Sequence, residues 1–141
     1  DAPELLHAWD EFEDGITHSI QAVFPTLAFH FTLNSLAVRY FTPRGHDQTE
    51  LYWIYLGYED DTDEQTDLRI MQGNLTGAAG LVSLEDGCIN EFVQRGTSGS
   101  TRHNAFMEMG GREVESTDAS RATEVAIRGF WTGYRQVMGF E

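Results

Sequence analysis

The stretch GLVSLEDGCINEFVQRG, from Gly80 to Gly96, puts a carboxylate where packing alone argues against one. At helical spacing Val82, Asp86, Ile89 and Val93 fall at i, i+4, i+7 and i+11, so Asp86 stands in the middle of an otherwise apolar stripe. A carboxylate left unpaired in an apolar interior loses solvation or takes up a proton, so one held there wants a cation, a hydrogen-bond network or a metal. Gly87 adds to the point. A mid-helix glycine costs about 1 kcal/mol against alanine, which suits a place where the backbone bends or lies close to something. The competing reading is a solvated Asp on a helix whose faces run differently. Glu85, one residue away, points elsewhere and reads as supporting or solvated.

The other residues able to do chemistry are less pointed. His7, His18, His46 and His103 lie in turns or polar segments and read as exposed; His30 does not. It shares an alternating strand face with Thr32 and Asn34, while Phe29, Phe31 and Leu33 take the opposite face. A polar strip inside a sheet fixes the orientation of a small ligand, which makes His30 and Asn34 candidates for pocket lining, with an exposed sheet face as the alternative. The single Cys88 excludes an internal disulfide and any multi-cysteine metal site, and reads as a small buried apolar residue. The acidic run from Glu59 to Glu64 lacks the spaced ligands and central glycine of a calcium loop and reads as a lead-in to a helix.

A net charge of -14 over 141 residues, with nine Lys and Arg, argues against a nucleic-acid partner, since neutralising phosphates takes clustered cations. No apolar run reaches the roughly 18 residues that span a bilayer, and the N-terminus has neither the basic nor the apolar part of a secretory signal. A cytoplasmic setting and no membrane partner are the expectation. The chain does not start with Met, which fits a segment of a longer protein.

These residues need elements to hold them. Residues 1–18 form an acidic lead-in with Pro3 and Gly15 as breakers, and residues 19–58 are strand-rich. The spacing predicts strands over 19–24 and 27–41 with a bend at Pro25, a turn over 42–47, and a third strand over 50–58, apolar on both faces like a covered central strand. Helices occupy residues 64–95: one over 64–75 with Leu68, Met71 and Leu75 on one face, then the Asp86 helix over 79–94. A polar loop over 95–103, a weak strand near 104–109 and a turn at Gly110-Gly111 follow. Ser116-Thr117-Asp118 then caps a last helix over 117–138, with Ile127, Trp131, Tyr134 and Met138 on one stripe and Glu124 paired with Arg128. The whole reads as one α+β domain segment with an antiparallel sheet.

Four segments in order, IQAVFPTLAFHFTLNSLAVRYFTPRG, ELYWIYLGYEDD, GNLTGAAGLVSLEDGCINEFVQRG and MGGREVES with TEVAIRGFWTGYRQVMG, resemble the catalytic domain of the large (alpha) subunits of Rieske non-heme iron aromatic-ring-hydroxylating oxygenases, close to the benzoate, salicylate and halobenzoate type. The resemblance implies a helix-grip fold, a sheet wrapped on the long C-terminal helix, of which this chain supplies an incomplete half. It implies that Asp86 is the carboxylate ligand of a mononuclear Fe(II), with two His ligands and the Rieske [2Fe-2S] cluster on an upstream part of the same subunit. Val82, one turn before Asp86, then faces the substrate cavity, with Thr76 and Ala79 further back on a similar side. The implied partners are a small beta subunit, a reductase passing electrons from NAD(P)H with or without a ferredoxin between, O2 and an aromatic acid or hydrocarbon, in a homo- or hetero-oligomer. This chain alone is expected to be inactive. A metal-free helix-grip module binding an apolar ligand is the alternative.

Overall fold

The computed structural model describes residues 3–99 and 124–140. The chain divides into two compact units, Asp1–Thr101 and Arg102–Glu141. The first holds strands β1 (His18–Val23), β2 (Leu27–Thr32), β3 (Ser35–Pro43) and β4 (Thr49–Leu56), then helices α1 (Asp63–Thr76) and α2 (Leu81–Gly99). In the second unit the described helix is α3 (Val125–Met138). The class is α+β, and the strands form one open antiparallel sheet in the order β1-β2-β3-β4.

The segment 27–41, expected as one strand, is a hairpin. Thr32 pairs with Ser35, so Leu33 and Asn34 alone reverse the chain. Leu33 takes a left-handed φ of 55°, which a leucine adopts at a cost of about 1–2 kcal/mol. Nothing in its residue type announces a turn. The segment expected as the third strand is therefore the fourth, and among the described residues it lies at the sheet's edge, not covered on both sides. Among its residues only Trp53 is half-buried.

The register sorts the side chains. Ile20, His30, Ala37 and Tyr55 form one row across the sheet, and Ala22, Ala28, Arg39 and Trp53 the next on the same face. Helix α1 lies on this inner face, where the Tyr55 hydroxyl donates to Gly73 O over 3.0 Å. A Cβ on Gly77 would collide with that hydroxyl, so glycine is what lets the end of α1 rest on the ring. The outer row Gln21, Phe29, Val38 and Ile54 leaves Phe29 and Ile54 exposed.

Thr62 caps α1 reciprocally with Gln65: Gln65 N donates to Thr62 Oγ1 and Thr62 N to Gln65 Oε1. The helix buries Arg69, Gln72, Gly73 and Thr76, whereas Met71, on the expected apolar face, is exposed. Helix α2 starts at Leu81, so Ala79, expected as its first residue, sits in the intervening turn, and Thr76 ends α1 instead of lying behind Asp86 along one helical side. It runs on to Gly99 through residues 95–99, expected as loop, and buries none of its residues. Cys88, expected buried, is exposed.

Helix α3 ends at Gly139, whose φ of 70° and N–H bonds to Arg135 O and Gln136 O close the last turn. Phe130, Trp131, Tyr134 and Phe140 form a chain of ring contacts along it. The cap at Ser116–Asp118, the strand near 104–109, the Gly110-Gly111 turn, His103 and the first residues of the 117–138 helix lie outside the described residues.

Candidate functional site

Asp86 is exposed on α2, and Val82, Ile89 and Val93 of its stripe are exposed with it. The expected burial of this carboxylate is therefore corrected, and the solvated Asp that the spacing also allowed is what this part of the chain presents. Asp86 instead borders a cleft of about 870 Å³ between α2 and the β3–β4 hairpin, with Ser83 and Asn90 from the helix and Arg39, Phe41 and Leu51 from the strands. The side chain one turn before Asp86 on this wall is Ser83; Val82 stays outside the lining and is 47% exposed.

Arg39 is the cation that Asp86 acts on. Its guanidinium lies 4.7 Å from the centre of the Trp53 ring, and its Nε is buried without a partner among the described residues. Burial draws its pKa down from the ordinary value, while the charge of Asp86 opposes that shift. An arginine half-desolvated against an aromatic ring, with a donor unspent, is equipped to bind an anion.

His30 is buried on the inner sheet face, its ring 5.4 Å from Trp53 and 6.0 Å from His18. Its Nε2 lies 2.6 Å from Thr32 Oγ1, and its Nδ1 is buried with no partner among the described residues. Burial first, then the charges of Arg39 and His18, lowers its pKa to about 4, so the ring is neutral at neutral pH. The Thr76 hydroxyl is likewise buried and unpaired among the described residues, while its carbonyl accepts from Ser83 Oγ over 2.7 Å and ties α2 to the end of α1.

Asn34 does not share the strand face of His30. It sits fully buried in the β2–β3 turn, where its Oδ1 accepts from Trp9 N and its Nδ2 donates to Trp9 O and to Glu11 Oε2. Its side chain thus binds the lead-in to the sheet.

A buried polar cluster that the sequence pattern does not announce gathers around Arg69. Arg69 donates to both oxygens of Glu11, to both oxygens of Asp61 and to Asn34 O, at 2.7–3.0 Å, and it lies over the rings of Trp9 and Tyr58. The side chains of Arg69, Glu11 and Asp61 are 6%, 4% and 6% exposed. The guanidinium holds the Asp61 carboxyl below its ordinary value, and the two carboxylates raise Arg69. Gln72 donates to His7 O and accepts from Asn34 N. The polar series Arg69, Gln72, Thr76 at i, i+3 and i+7 was the available signal, and it reads from sequence as a solvated face. This cluster is saturated internally and serves the fold.

Among the described residues no three His, Cys, Asp or Glu stand together as a metal-binding group. Asp86 therefore offers one ligand only from this part of the chain.

The family pattern described as the ring hydroxylating alpha subunit (catalytic domain) matches residues 2–139. This chain belongs to that family. Over 139 residues it is 48% identical to the terephthalate 1,2-dioxygenase terminal oxygenase component subunit alpha 2 of Comamonas sp, covering 99% of this chain and 33% of that protein. It is 40% identical to the anthranilate 1,2-dioxygenase large subunit of Burkholderia cepacia, with 96% of this chain and 32% of the relative aligned. With the large oxygenase component of salicylate 5-hydroxylase from Ralstonia sp it shares 38% identity, over 97% of this chain and 32% of the other. The chain thus spans about a third of the length of these ring-hydroxylating relatives. No described helix is long and apolar enough to cross a membrane.

Proposed function

We propose that this chain is part of the terminal oxygenase component of an aromatic-ring-hydroxylating enzyme, with Asp86 as the carboxylate ligand of a mononuclear Fe(II). The observation that supports it most is the placing of Asp86: an ionisable oxygen donor facing an open cleft, opposite a cation, in a member of the ring-hydroxylating alpha-subunit family. A carboxylate and two imidazoles on one triangular face suit Fe(II) and leave positions open, so the oxygen donor here fits one corner of that set. The two His ligands and the Rieske [2Fe-2S] cluster belong, on this reading, to an upstream part of the same subunit. When bound, the iron supplies O2 activation with electrons passed from NAD(P)H by a reductase and ferredoxin.

The chain's own residues bind and orient. Arg39, with its unspent Nε, supplies the cation for an aromatic acid, and the three relatives are named for terephthalate, anthranilate and salicylate, all of them such acids. Ser83 and Asn90 join Asp86 and Arg39 at the substrate space, whereas Val82, Ala79, Thr76 and His30 lie outside the lining of this cleft; Asn34 acts by holding the β2–β3 turn in place. A small beta subunit completes the oligomer, in a cytoplasmic setting. The metal-free binding module is disfavoured by the family membership.

The test is oxygen-18 labelling of the product made by the full-length subunit with its redox partners. Label in the hydroxylated ring is the expected result, and its absence from the product of every aromatic acid tried overturns the proposal.

A further inference from the structure

The β1–β2 strand pair carries a hydrogen-bonded file that the proposed iron and substrate contacts leave unused. His18 Nδ1 lies 2.8 Å from Thr32 Oγ1, and the same hydroxyl lies 2.6 Å from His30 Nε2. His18 is exposed, Thr32 half-buried and His30 buried, so the file leads from solvent inward. Its inner end, His30 Nδ1, is buried without a partner among the described residues. That end lies on the sheet face that carries Trp53 and Arg39, and Arg39 is the group whose charge acts on His30 and which Asp86 acts on in turn.

A hydroxyl donates and accepts at once, and so does a neutral imidazole, one nitrogen doing each. Two imidazoles bridged by one hydroxyl therefore make a continuous chain of proton donors and acceptors. A strand pair held for stability alone has no need to bury an imidazole whose second nitrogen finds no partner among the described residues, since an unpaired buried nitrogen costs about 1–3 kcal/mol. We propose that His18, Thr32 and His30 form a proton conduit from solvent to the inner sheet face beside the Asp86 cleft, serving the oxygenation.

This inference rests on the oxygenase reading, whose stoichiometry demands such a path. An aromatic ring, O2, two electrons and two protons give a dihydrodiol, with the O–O bond broken and two C–O bonds formed. The same inputs give a phenol and water, with one C–O bond formed. Either way the electrons come from NAD(P)H and two protons must come from solvent. In the conduit His18 takes a proton at Nε2 and donates its Nδ1–H to Thr32 Oγ1. Thr32 donates its O–H to His30 Nε2, and His30 releases its Nδ1–H toward the O2-derived oxygen that ends as product hydroxyl or as water. One proton passes, and His30 ends neutral as it began. Hydroxyl rotation and tautomer exchange reset the file. Because burial and Arg39 hold the pKa of His30 at about 4, the ring passes a proton instead of storing it.

The experiment uses the full-length subunit with its redox partners and the variants Thr32→Val, Thr32→Ser and His18→Asn. Valine keeps the shape of threonine and removes the bridge. It should lower kcat for an aromatic acid at least fivefold, leave KM within twofold and raise the solvent deuterium isotope effect. Serine should restore most of kcat, and His18→Asn should slow turnover in the same sense. Independently of turnover, nitrogen-15 NMR of labelled histidine should find His30 as the Nδ1–H tautomer, perturbed in Thr32→Val and recovered in Thr32→Ser. An unchanged kcat in Thr32→Val, a loss that serine does not rescue, a change confined to KM, or an Nε2–H tautomer of His30 in the native protein overturns the conduit. If the native enzyme labels no product at all, the oxygenase reading fails, and the conduit falls with it as a device for oxygenation whatever the tautomer.

Discussion

At the scale of single residues, Asp86 and Glu85 make a matched pair. Both are exposed on α2, carry the same charge and differ by one helical step, yet only Asp86 lines the cleft opposite Arg39. Removing an exposed side chain that does nothing usually changes stability by no more than about 0.5 kcal/mol. In the full-length protein, Asp86→Ala should therefore leave the unfolding midpoint in place while iron content falls severalfold and oxygenation is abolished. Glu85→Ala should keep both. Iron analysis and product formation on the two purified variants decide the matter. If Glu85→Ala is the variant that loses iron, or if both retain it, Asp86 is not the ligand.

At the scale of elements, the cluster around Arg69 is what fastens the lead-in, the β2–β3 turn and α1 to one another. Truncating Arg69 leaves Glu11 buried and without its cation, and breaking a buried pair in this way costs about 3–5 kcal/mol. Arg69→Ala should accordingly unfold the first unit at much lower denaturant, with Arg69→Lys intermediate because an ammonium lacks the guanidinium fork that serves two carboxylates. The pH dependence has a defined sign. The folded carboxyl of Asp61 titrates below its ordinary value of 3.8, so its contribution is complete above that value and is lost as pH falls through the folded pKa. Asp61→Asn should then be less stable than the native chain at pH 7, and the gap should narrow as pH drops below 3.8. Urea melts across pH 3–7 measure it, and a gap that stays constant with pH would show that Asp61 does not couple to Arg69. The same cluster marks where the sequence stopped being legible. Period-2 and helical patterns located the sheet, α1 and α2, because those patterns record which way side chains point within one element. They do not record pairing between residues 58 positions apart, so nothing in the pattern singled out Arg69 or Glu11, and residues 1–18 read as an acidic lead-in. The Leu33-Asn34 reversal was hidden for a related reason: a leucine at positive φ is held by contacts from elsewhere, among them Leu33 N donating to Thr17 O. Asp86 stood out by its residue type and spacing, yet its surroundings were misread, because an apolar stripe states a preference for burial and does not name what does the burying.

At the scale of the whole chain, acidity and apolar surface oppose each other. Among the described residues, the outer sheet face leaves Val23, Phe29, Tyr40, Tyr52, Ile54 and Leu56 between 45% and 54% exposed, and α2 adds Leu84, Ile89, Phe92 and Val93 at 53–59%. Contiguous apolar surface of this kind favours association. A net charge of -14 works against it through mutual repulsion at neutral pH. That repulsion disappears near the isoelectric point of about 4.5 and weakens as salt shortens the screening length to about 8 Å at physiological ionic strength. The isolated 141-residue chain should therefore bind a hydrophobic dye at pH 8, sediment as a largely monomeric species there at low salt, and associate progressively as pH approaches 4.5 or as salt rises. Replacing Phe29 and Ile54 by Lys on the outer face should suppress dye binding and association together, while leaving the inner face with His30, Arg39 and Tyr55 untouched. Sedimentation and dye fluorescence over pH and salt provide the check. A native chain that is dye-silent and monomeric at pH 4.5 would mean that the outer sheet face and α2 are covered within the chain itself.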